Sequence, residues 1–245
     1  MKKSILSGVF LFCFSGSSFA GFDFESKAQQ LLGEILANPS AFFYDFQQDL
    51  EGTLPLPPGK AWGLHTGLFP SVIPMGYTNI SGKYRLHAEG RMYPGLPQMD
   101  LIGGYWDMIW AKLATNQSDD VDKASFNGYY YGFILSSSVS PRIRTFWGYK
   151  RSQLKAELKL NKAQDLMGVS VTSFDSGFKD DFLIAGLEHP KGINKFWSIQ
   201  LNYGLSEKII TTKVCWYGKW FELGLNIYPE GVLVIHPVWN FHLNF

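Results

Sequence analysis

The sequence predicts an all-β fold, a closed antiparallel β-barrel of about twelve strands that is preceded by a short helical segment. Three observations lead to this prediction. From Lys60 to the end of the chain, apolar residues recur at every second position in one short segment after another. After residue 20, no apolar stretch is long enough for a membrane-spanning helix, although aromatic residues make up 16% of the chain. Residues 21–59, in contrast, show helical periodicity.

The beginning of the chain has the three parts of a cleavable export signal. It starts with a lysine pair, continues with an apolar stretch over residues 5–14, and reaches the small residues Ser18 and Ala20 at a peptidase site. We expect cleavage after Ala20, which assigns residues 1–20 to a signal peptide. The exported chain then keeps Cys215 as its single cysteine, so no intramolecular disulfide is expected.

Residues 21–59 predict a separate amphipathic helical segment. Apolar residues at helical spacing predict a first helix over residues 26–37, and Asn38-Pro39 is a typical start for a second helix. A cluster of prolines between residues 55 and 58 ends the helical region. This segment could plug the lumen, lie against the inner membrane surface, dock a periplasmic partner, or form a helical cap that only covers apolar surface. The apolar stripe of the second helix consists of Phe42, Phe43, Phe46 and Leu50.

Residues 60–245 are assigned to the barrel, because alternation divides them into successive strands. The clearest strand places Tyr84 and Leu86 on one face and charged residues on the other. If the segments that begin at Met99 and Phe182 are misread, the strand number falls to about ten. The predicted strands are residues 62–68, 83–92, 99–110, 126–139, 143–149, 154–160, 167–171, 182–188, 197–203, 210–216, 221–227 and 233–245.

The connections between these strands differ in length and composition. The acidic stretch around Asp119 and residues 73–79 predict longer loops, whereas Ser140-Pro141 and Tyr217-Gly218 predict tight turns. Asp175-Ser176-Gly177 predicts a further turn. With an even number of strands, the two longer loops lie at one end of the barrel and the two tight turns at the other.

The final predicted strand combines regular alternation with a terminal aromatic residue. The strand is long enough to cross a bilayer at a tilt, and one of its faces would then contact lipid. The pattern resembles the C-terminal signal by which the barrel-assembly machinery of Gram-negative bacteria recognises outer-membrane β-barrels, with an interruption at Pro237. The residues that carry the resemblance are Ile235, Trp239, Phe241, Leu243 and Phe245.

This resemblance, together with the export signal, implies a bacterial outer-membrane protein whose partners are membrane lipid and the assembly machinery. The helical segment would then be a plug or a periplasmic cap. A sheet that spans a bilayer must close into a barrel, because the bilayer contains no water to hydrogen-bond the backbone groups of an open edge. A balance of 22 basic and 21 acidic residues argues against a nucleic-acid partner. The chain has no zinc-ligand spacing and no glycine-rich phosphate loop, so we expect no metal and no cofactor.

If the apolar faces meet lipid, the opposite faces line the lumen and carry more basic than acidic residues. One interpretation is a narrow, porin-like passive channel that mildly favours small anionic solutes, because rings of Arg and Lys lower the barrier for them. The alternative is a lumen filled by ion pairs, which makes the barrel a non-conducting structural or surface-interaction protein. The predicted lumen-lining residues are Arg85, His87, Glu89, Arg91, Arg142, Arg144, Lys155, Glu157, Lys159, Lys213 and Glu222.

A lipid hydrolase of the outer membrane is a third interpretation. Such enzymes use a Ser and His pair, and His65, His236 and His242 could meet because the first and last strands of a closed barrel are neighbours. No serine stands in a recognisable motif, and a histidine in a lumen more often fills space with a hydrogen bond. We therefore expect no enzymatic activity.

Overall fold

The computed structural model describes residues 39–67, 78–108, 121–166, 169–190, 195–229 and 235–245. In these residues, one helix precedes ten strands that close into an antiparallel barrel, in which the first strand pairs with the last. The predicted all-β closed barrel with a short helix is therefore confirmed. The elements are α1 (Pro39–Leu50), β1 (Trp62–Gly67), β2 (Thr78–His87), β3 (Gln98–Asp107), β4 (Val121–Ser140), β5 (Ile143–Leu166), β6 (Val169–Pro190), β7 (Phe196–Gly204), β8 (Ile210–Tyr217), β9 (Phe221–Ile227) and β10 (Ile235–Asn244).

The strand number of about twelve is not confirmed, because two pairs of predicted strands are each one long strand. Residues 143–149 and 154–160 both belong to β5, and residues 169–171 and 182–188 both belong to β6. The predicted turn at Asp175-Ser176-Gly177 is part of β6, where all three residues pair with β5. Continuous pairing with the neighbouring strand outweighs the local turn preference of these residues. The segments that begin at Met99 and Phe182 are both in strands.

Three adjacent strands are much longer than the others. β4, β5 and β6 have 20, 24 and 22 residues, whereas the other strands in the described residues have between 6 and 10. Their additional length projects from one end of the barrel, which we call the extended end. We call the projecting parts, residues 121–127, 153–166 and 169–179, the protrusion. The opposite end is the turn end, where the two-residue turn between β4 and β5 and the last residue of the chain lie.

The lumen contains part of the chain that precedes β1. Helix α1 lies at the extended end, and residues 51–58, which we call the inner segment, run from it through the lumen to the turn end. Leu54 and Leu56 on this segment are 1% and 0% exposed. At the turn end, the backbone amides of Ala61 and Trp62 donate to the carbonyl of Phe245 and so join the start of β1 to the end of the chain.

Several predictions concern parts of the chain outside the described residues. These are the signal peptide with its cleavage site, the helix over residues 26–37, the acidic loop around Asp119, and most of the loop predicted over residues 73–79, of which residues 78 and 79 begin β2. The helix predicted to start at Asn38-Pro39 is present as α1. Across the part of the chain that the structure describes, no helix is long and apolar enough to cross a membrane.

Candidate functional site

The inward faces of the barrel strands and the inner segment form a dense polar network in the lumen. Among the predicted lumen-lining residues, Arg144, Lys213 and Glu222 are inward and buried. Arg144 contacts Glu188 on β6 at 3.3 Å, and Lys213 on β8 forms an ion pair with Glu222 on β9. Both pairs are withdrawn from water, so each charge depends on its partner for compensation.

Arg85 is a further predicted lumen residue that lies inward, near the turn end. Its guanidinium lies 3.4 Å from Asp100 on β3 and donates to the carbonyls of Leu56 and Pro57 on the inner segment at 3.2 and 2.7 Å. His87 is half-buried at the end of β2, directly after a shift in the pairing with β3. Arg85 thus holds the inner segment against the barrel wall.

Three other predicted lumen residues lie in connections at the turn end, not on strands. Arg91 and Arg142 are exposed there, and Glu89 folds over the rim of the barrel. The carboxylate of Glu89 accepts hydrogen bonds from the backbone amide and hydroxyl of Ser138, at 2.7 and 2.9 Å, and from the hydroxyl of Ser137 at 2.9 Å. Partial burial raises the pKa of Glu89, but these hydrogen bonds outweigh it and hold the pKa below its usual value.

The prediction that Lys155, Glu157 and Lys159 line the lumen is wrong. They lie on the protrusion with their side chains outward, and these side chains are 57%, 20% and 63% exposed. Because β5 is one continuous strand, residues of odd number keep the outward face that Ile143 and Trp147 have near the turn end. Glu157 pairs with Lys155 at 3.2 Å and with Lys123 at 2.8 Å, and the hydrogen bonds from these two lysines lower the pKa of its carboxyl group.

Lys150 is the most closely engaged lumen cation that the sequence analysis missed, because it stood between two predicted strands. Its ammonium group contacts both Glu51 of the inner segment and Gln48 of α1, and the hydroxyl of Ser152 donates to Glu51 at 2.6 Å. Lys150 is 1% exposed. Every second residue of β5 from Arg144 onward faces inward, and counting in this way along one continuous strand would have identified Lys150 as a lumen residue.

Asp49 of α1 makes a second set of contacts at the extended end. Its carboxylate accepts hydrogen bonds from Asn226 at 2.5 Å and from the hydroxyl of Tyr228 at 2.7 Å. His236 on β10 lies 2.6 Å from the other carboxylate oxygen. Asp49 and Glu51 therefore bring negative charge from the helical segment into a barrel interior that carries more basic residues.

The backbone of the inner segment is bonded to several strands in turn. The hydroxyl of Tyr130 accepts from the amide of Gly52 at 2.8 Å, and the ammonium of Lys83 donates to the carbonyl of Leu54 at 2.6 Å. At Leu56, the amide donates to Asp100 at 2.8 Å. The carbonyl of Leu56 accepts from Gln98 and Arg144, each at 3.0 Å. These hydrogen bonds satisfy backbone groups of the inner segment that would otherwise need water as their partner.

Inward glycines on β1 make room for this chain. A Cβ on Gly63 would lie 2.8 Å from a methyl carbon of Leu56, and one on Gly67 would lie 3.0 Å from a methyl carbon of Leu50. Side chains at these two positions would push against α1 and the inner segment. Two glycines on the inward face of one strand were therefore a signal in the sequence for close backbone approach within the lumen.

The predicted histidine cluster forms only in part. His65 and His242 face each other in the pairing of β1 with β10, whereas His236 lies at the opposite end of β10. His65 lies 3.6 Å from Glu222, and the ring of His242 stacks on Tyr217 and donates to the carbonyl of Gly218 at 2.9 Å. Within the described residues, no group of three or more His, Cys, Asp or Glu side chains is placed to hold a metal ion.

The outward face of the barrel is largely apolar, and on β3 to β6 it becomes polar toward the extended end. Near this change, the hydroxyls of three outward tyrosines donate to polar residues. Tyr105 donates to Asp107 at 2.9 Å, and Tyr129 donates to Gln153 at 2.8 Å. Tyr149 donates to Asp181 at 2.5 Å. Outward apolar residues with large exposed areas include Trp62, Leu64, Ile80, Leu86, Leu101, Trp147, Leu183, Leu187, Trp197, Ile199, Leu201, Leu223, Leu225, Ile235, Trp239 and Phe245.

Comparisons with protein-family models, with curated proteins and with solved structures found no match to this chain. The geometry of the barrel and of its lumen therefore carries the functional argument.

Proposed function

We propose that this protein is a Gram-negative outer-membrane β-barrel whose lumen is closed by its own inner segment, and that it holds the protrusion at the cell surface. The observation that carries the proposal is the change from apolar or aromatic to polar outward residues on three neighbouring strands near the extended end. On β5 and β6 the change occurs at the paired residues Arg151 and Asp181, and on β4 it occurs after Tyr129, at Asn127. Aromatic rings on one side of a level and charges on the other are typical of a membrane boundary.

The apolar band has the height that an outer membrane requires. On β10, residues on the outward face run from Ile235 to the terminal Phe245, which corresponds to about 33 Å along an extended strand. At a tilt of about 45°, this length spans roughly 23 Å, close to the apolar band of about 25 Å in known barrels. In this orientation the turn end faces the periplasm and the protrusion faces outward. The terminal aromatic pattern then serves as the assembly signal.

The occupied lumen supports the non-conducting alternative over the channel. A path for ions would require α1 and the inner segment to leave, which would separate Lys150 from Glu51 and His236 from Asp49. Removing one member of a buried ion pair typically costs about 3–5 kcal/mol. The hydrogen bonds that Lys83, Arg85 and Arg144 donate to carbonyls of the inner segment would be lost as well. We infer that the role of the barrel is structural and not enzymatic.

The channel is the second candidate, and the charge of the lumen wall favours it if the inner segment can be displaced. Lys83, Arg85, Arg144, Lys150 and Lys213 would then line an open lumen together with Asp100, Glu188 and Glu222, and the remaining excess of positive charge favours anions. Conductance of the refolded protein in planar bilayers distinguishes the two candidates. We expect no steady current from the unaltered chain. We expect anion-selective openings from a Glu51→Gln, Asp49→Asn double variant, in which the inner segment is held less tightly. A steady anion-selective current from the unaltered chain would instead establish the channel.

Single-cysteine labelling tests the orientation in the membrane. Cys215 is fully buried and should not react with the label, so the unaltered protein should show no background labelling. Ser173→Cys on the protrusion should react with a membrane-impermeant maleimide on intact cells. Arg91→Cys at the turn end should react only after the outer membrane is permeabilised. Equal labelling of both variants on intact cells would refute the proposed orientation.

A further inference from the structure

The outward face at the base of the protrusion carries a group of basic side chains on three adjacent strands. We call Lys123, Arg151, Lys155 and Lys179 the cationic patch. We propose that this patch binds the phosphate groups of lipid headgroups in the outer leaflet of the membrane. The inference rests on the proposed function, because it requires the barrel to span the outer membrane in the orientation given above.

The pairing of β5 with β6 brings three members of the patch together. Gln153 is directly opposite Lys179, and Arg151 and Lys155 flank Gln153 on the same face of β5. Diagonal neighbours on one face of an antiparallel pair have Cα atoms about 7–8 Å apart, which is within reach of long side chains. Arg151, Lys155 and Lys179 can therefore converge on a single phosphate group.

The four basic side chains of the patch share their outward face with three carboxylates, those of Asp181, Glu157 and Asp175, so one positive charge remains in excess. Arg151 lies 3.7 Å from Asp181, and Lys123 and Lys155 share one carboxylate, that of Glu157. Asp181 also accepts the hydroxyl of Tyr149, so its charge is divided between two donors. Lys179 has no acidic partner within ion-pair distance in the described residues. The side chains of Lys123 and Lys155 are 54% and 57% exposed and therefore accessible to a ligand.

The position of the patch favours a lipid over a free anion. It lies directly beyond the tyrosines that mark the edge of the apolar band, on the side of the wall that faces lipid. Gln153 accepts the hydroxyl of Tyr129, and below it the outward face continues to Tyr149 and Leu183. A phosphorylated lipid can place its acyl chains on this apolar wall and its phosphate on the patch. A free anion would gain nothing from the apolar part.

Binding of lipopolysaccharide to the full refolded chain in phosphatidylcholine vesicles tests the proposal. Energy transfer from the native tryptophans to fluorescently labelled lipopolysaccharide reports binding. Each basic side chain near a phosphate layer contributes about fivefold to affinity. The Arg151→Gln, Lys155→Gln, Lys179→Gln variant should therefore bind at least about tenfold more weakly. The matched control, Lys60→Gln, Arg91→Gln, Lys219→Gln, changes the same number of charges at the turn end and should bind like the unaltered chain.

The nature of the ligand is tested in the same assay. Dephosphorylated lipopolysaccharide should bind the unaltered chain as weakly as intact lipopolysaccharide binds the patch variant. Equal affinity for the two lipids would overturn the proposal. Displacement of the labelled lipid by millimolar pyrophosphate would also overturn it, since the patch would then be a site for free phosphate groups.

Flotation with the vesicles separates failure of this inference from failure of the proposed function. A chain that does not float with phosphatidylcholine vesicles is not inserted, and both proposals would then be refuted. A chain that floats but shows no difference between the patch variant and the control refutes the lipid site alone.

Discussion

The barrel wall and the protrusion are built from the same strands, yet they use the two faces of those strands in opposite ways. On β5 near the turn end, outward Ile143 and Trp147 are exposed and apolar, while inward Lys150 is buried and paired. Further along the same strand, outward Lys155 is exposed and charged, while inward Leu154 is 2% exposed. The direction of each side chain is unchanged, so the difference lies in what surrounds the strand.

This contrast shows why the charged residues of the two regions have different energetic roles. Charges of the lumen are enclosed by the inner segment and have no access to bulk water, so each one depends on a specific partner. Charges of the protrusion are solvated and change partners at little cost. The same residue type should therefore respond very differently to substitution in the two regions.

The largest effect is expected from matched lysine substitutions on β5. Lys150→Met removes a buried partner of Glu51 and should destabilise the protein by about 3–5 kcal/mol. Lys155→Met on the protrusion should cost about 0.5 kcal/mol or less. Urea unfolding of the refolded barrels, followed by the shift in gel mobility between folded and unfolded forms, measures both. Similar costs at the two positions would show that the lumen is hydrated and that the inner segment does not seal it.

A somewhat smaller effect is expected when charge is added to the two outward faces. Ile199 on β7 is 52% exposed in the middle of the apolar band, and Ile199→Arg should cost about 2–4 kcal/mol in a bilayer. Ser173→Arg on the protrusion should change the free energy of unfolding by less than about 0.5 kcal/mol. The comparison requires refolding into lipid vesicles. An Ile199→Arg variant as stable as the Ser173→Arg variant would mean that β7 does not face lipid.

The smallest effect is expected at the junction of the two regions, where Asp45 of α1 is 3% exposed. The pKa of its carboxyl group is raised to about 7, chiefly because the group is buried; His236 lowers this pKa and Asp49 raises it, and both effects are smaller than that of burial. The folded state therefore binds a proton that the unfolded state has released, and stability is lost as pH rises from about 4 through 7.

Asp45→Asn removes this titration and keeps the shape of the side chain. The variant should be more stable than the unaltered protein at pH 8 by on the order of 2 kcal/mol, and the two should be nearly equal at pH 4. Unfolding midpoints at the two pH values measure the difference. A stability gain of the same size at both pH values would show that the carboxyl group of Asp45 does not titrate in this range.

The sequence predicted the barrel and most of its strands because alternation is a local property of consecutive residues. The outward positions of Trp197, Ile199 and Leu201 on β7 follow from it directly. The reversed assignment of Lys155 has an equally local cause, because alternation separates two faces without indicating which one is inward. Once β5 was divided into two strands, its second part could be assigned to either face.

The amino-acid sequence by itself determined that the chain from Lys60 onward forms strands and that one face of most of them is apolar, since both properties depend on neighbouring residues. Only the tertiary structure decided that β4 to β6 run past the end of the barrel, because pairing across strands overrides turn residues such as Gly177. It also decided that Glu51 and Lys150 meet inside the lumen. Contacts between residues so far apart in the chain arise only when the closed ring and the inner segment exclude water from the space they share.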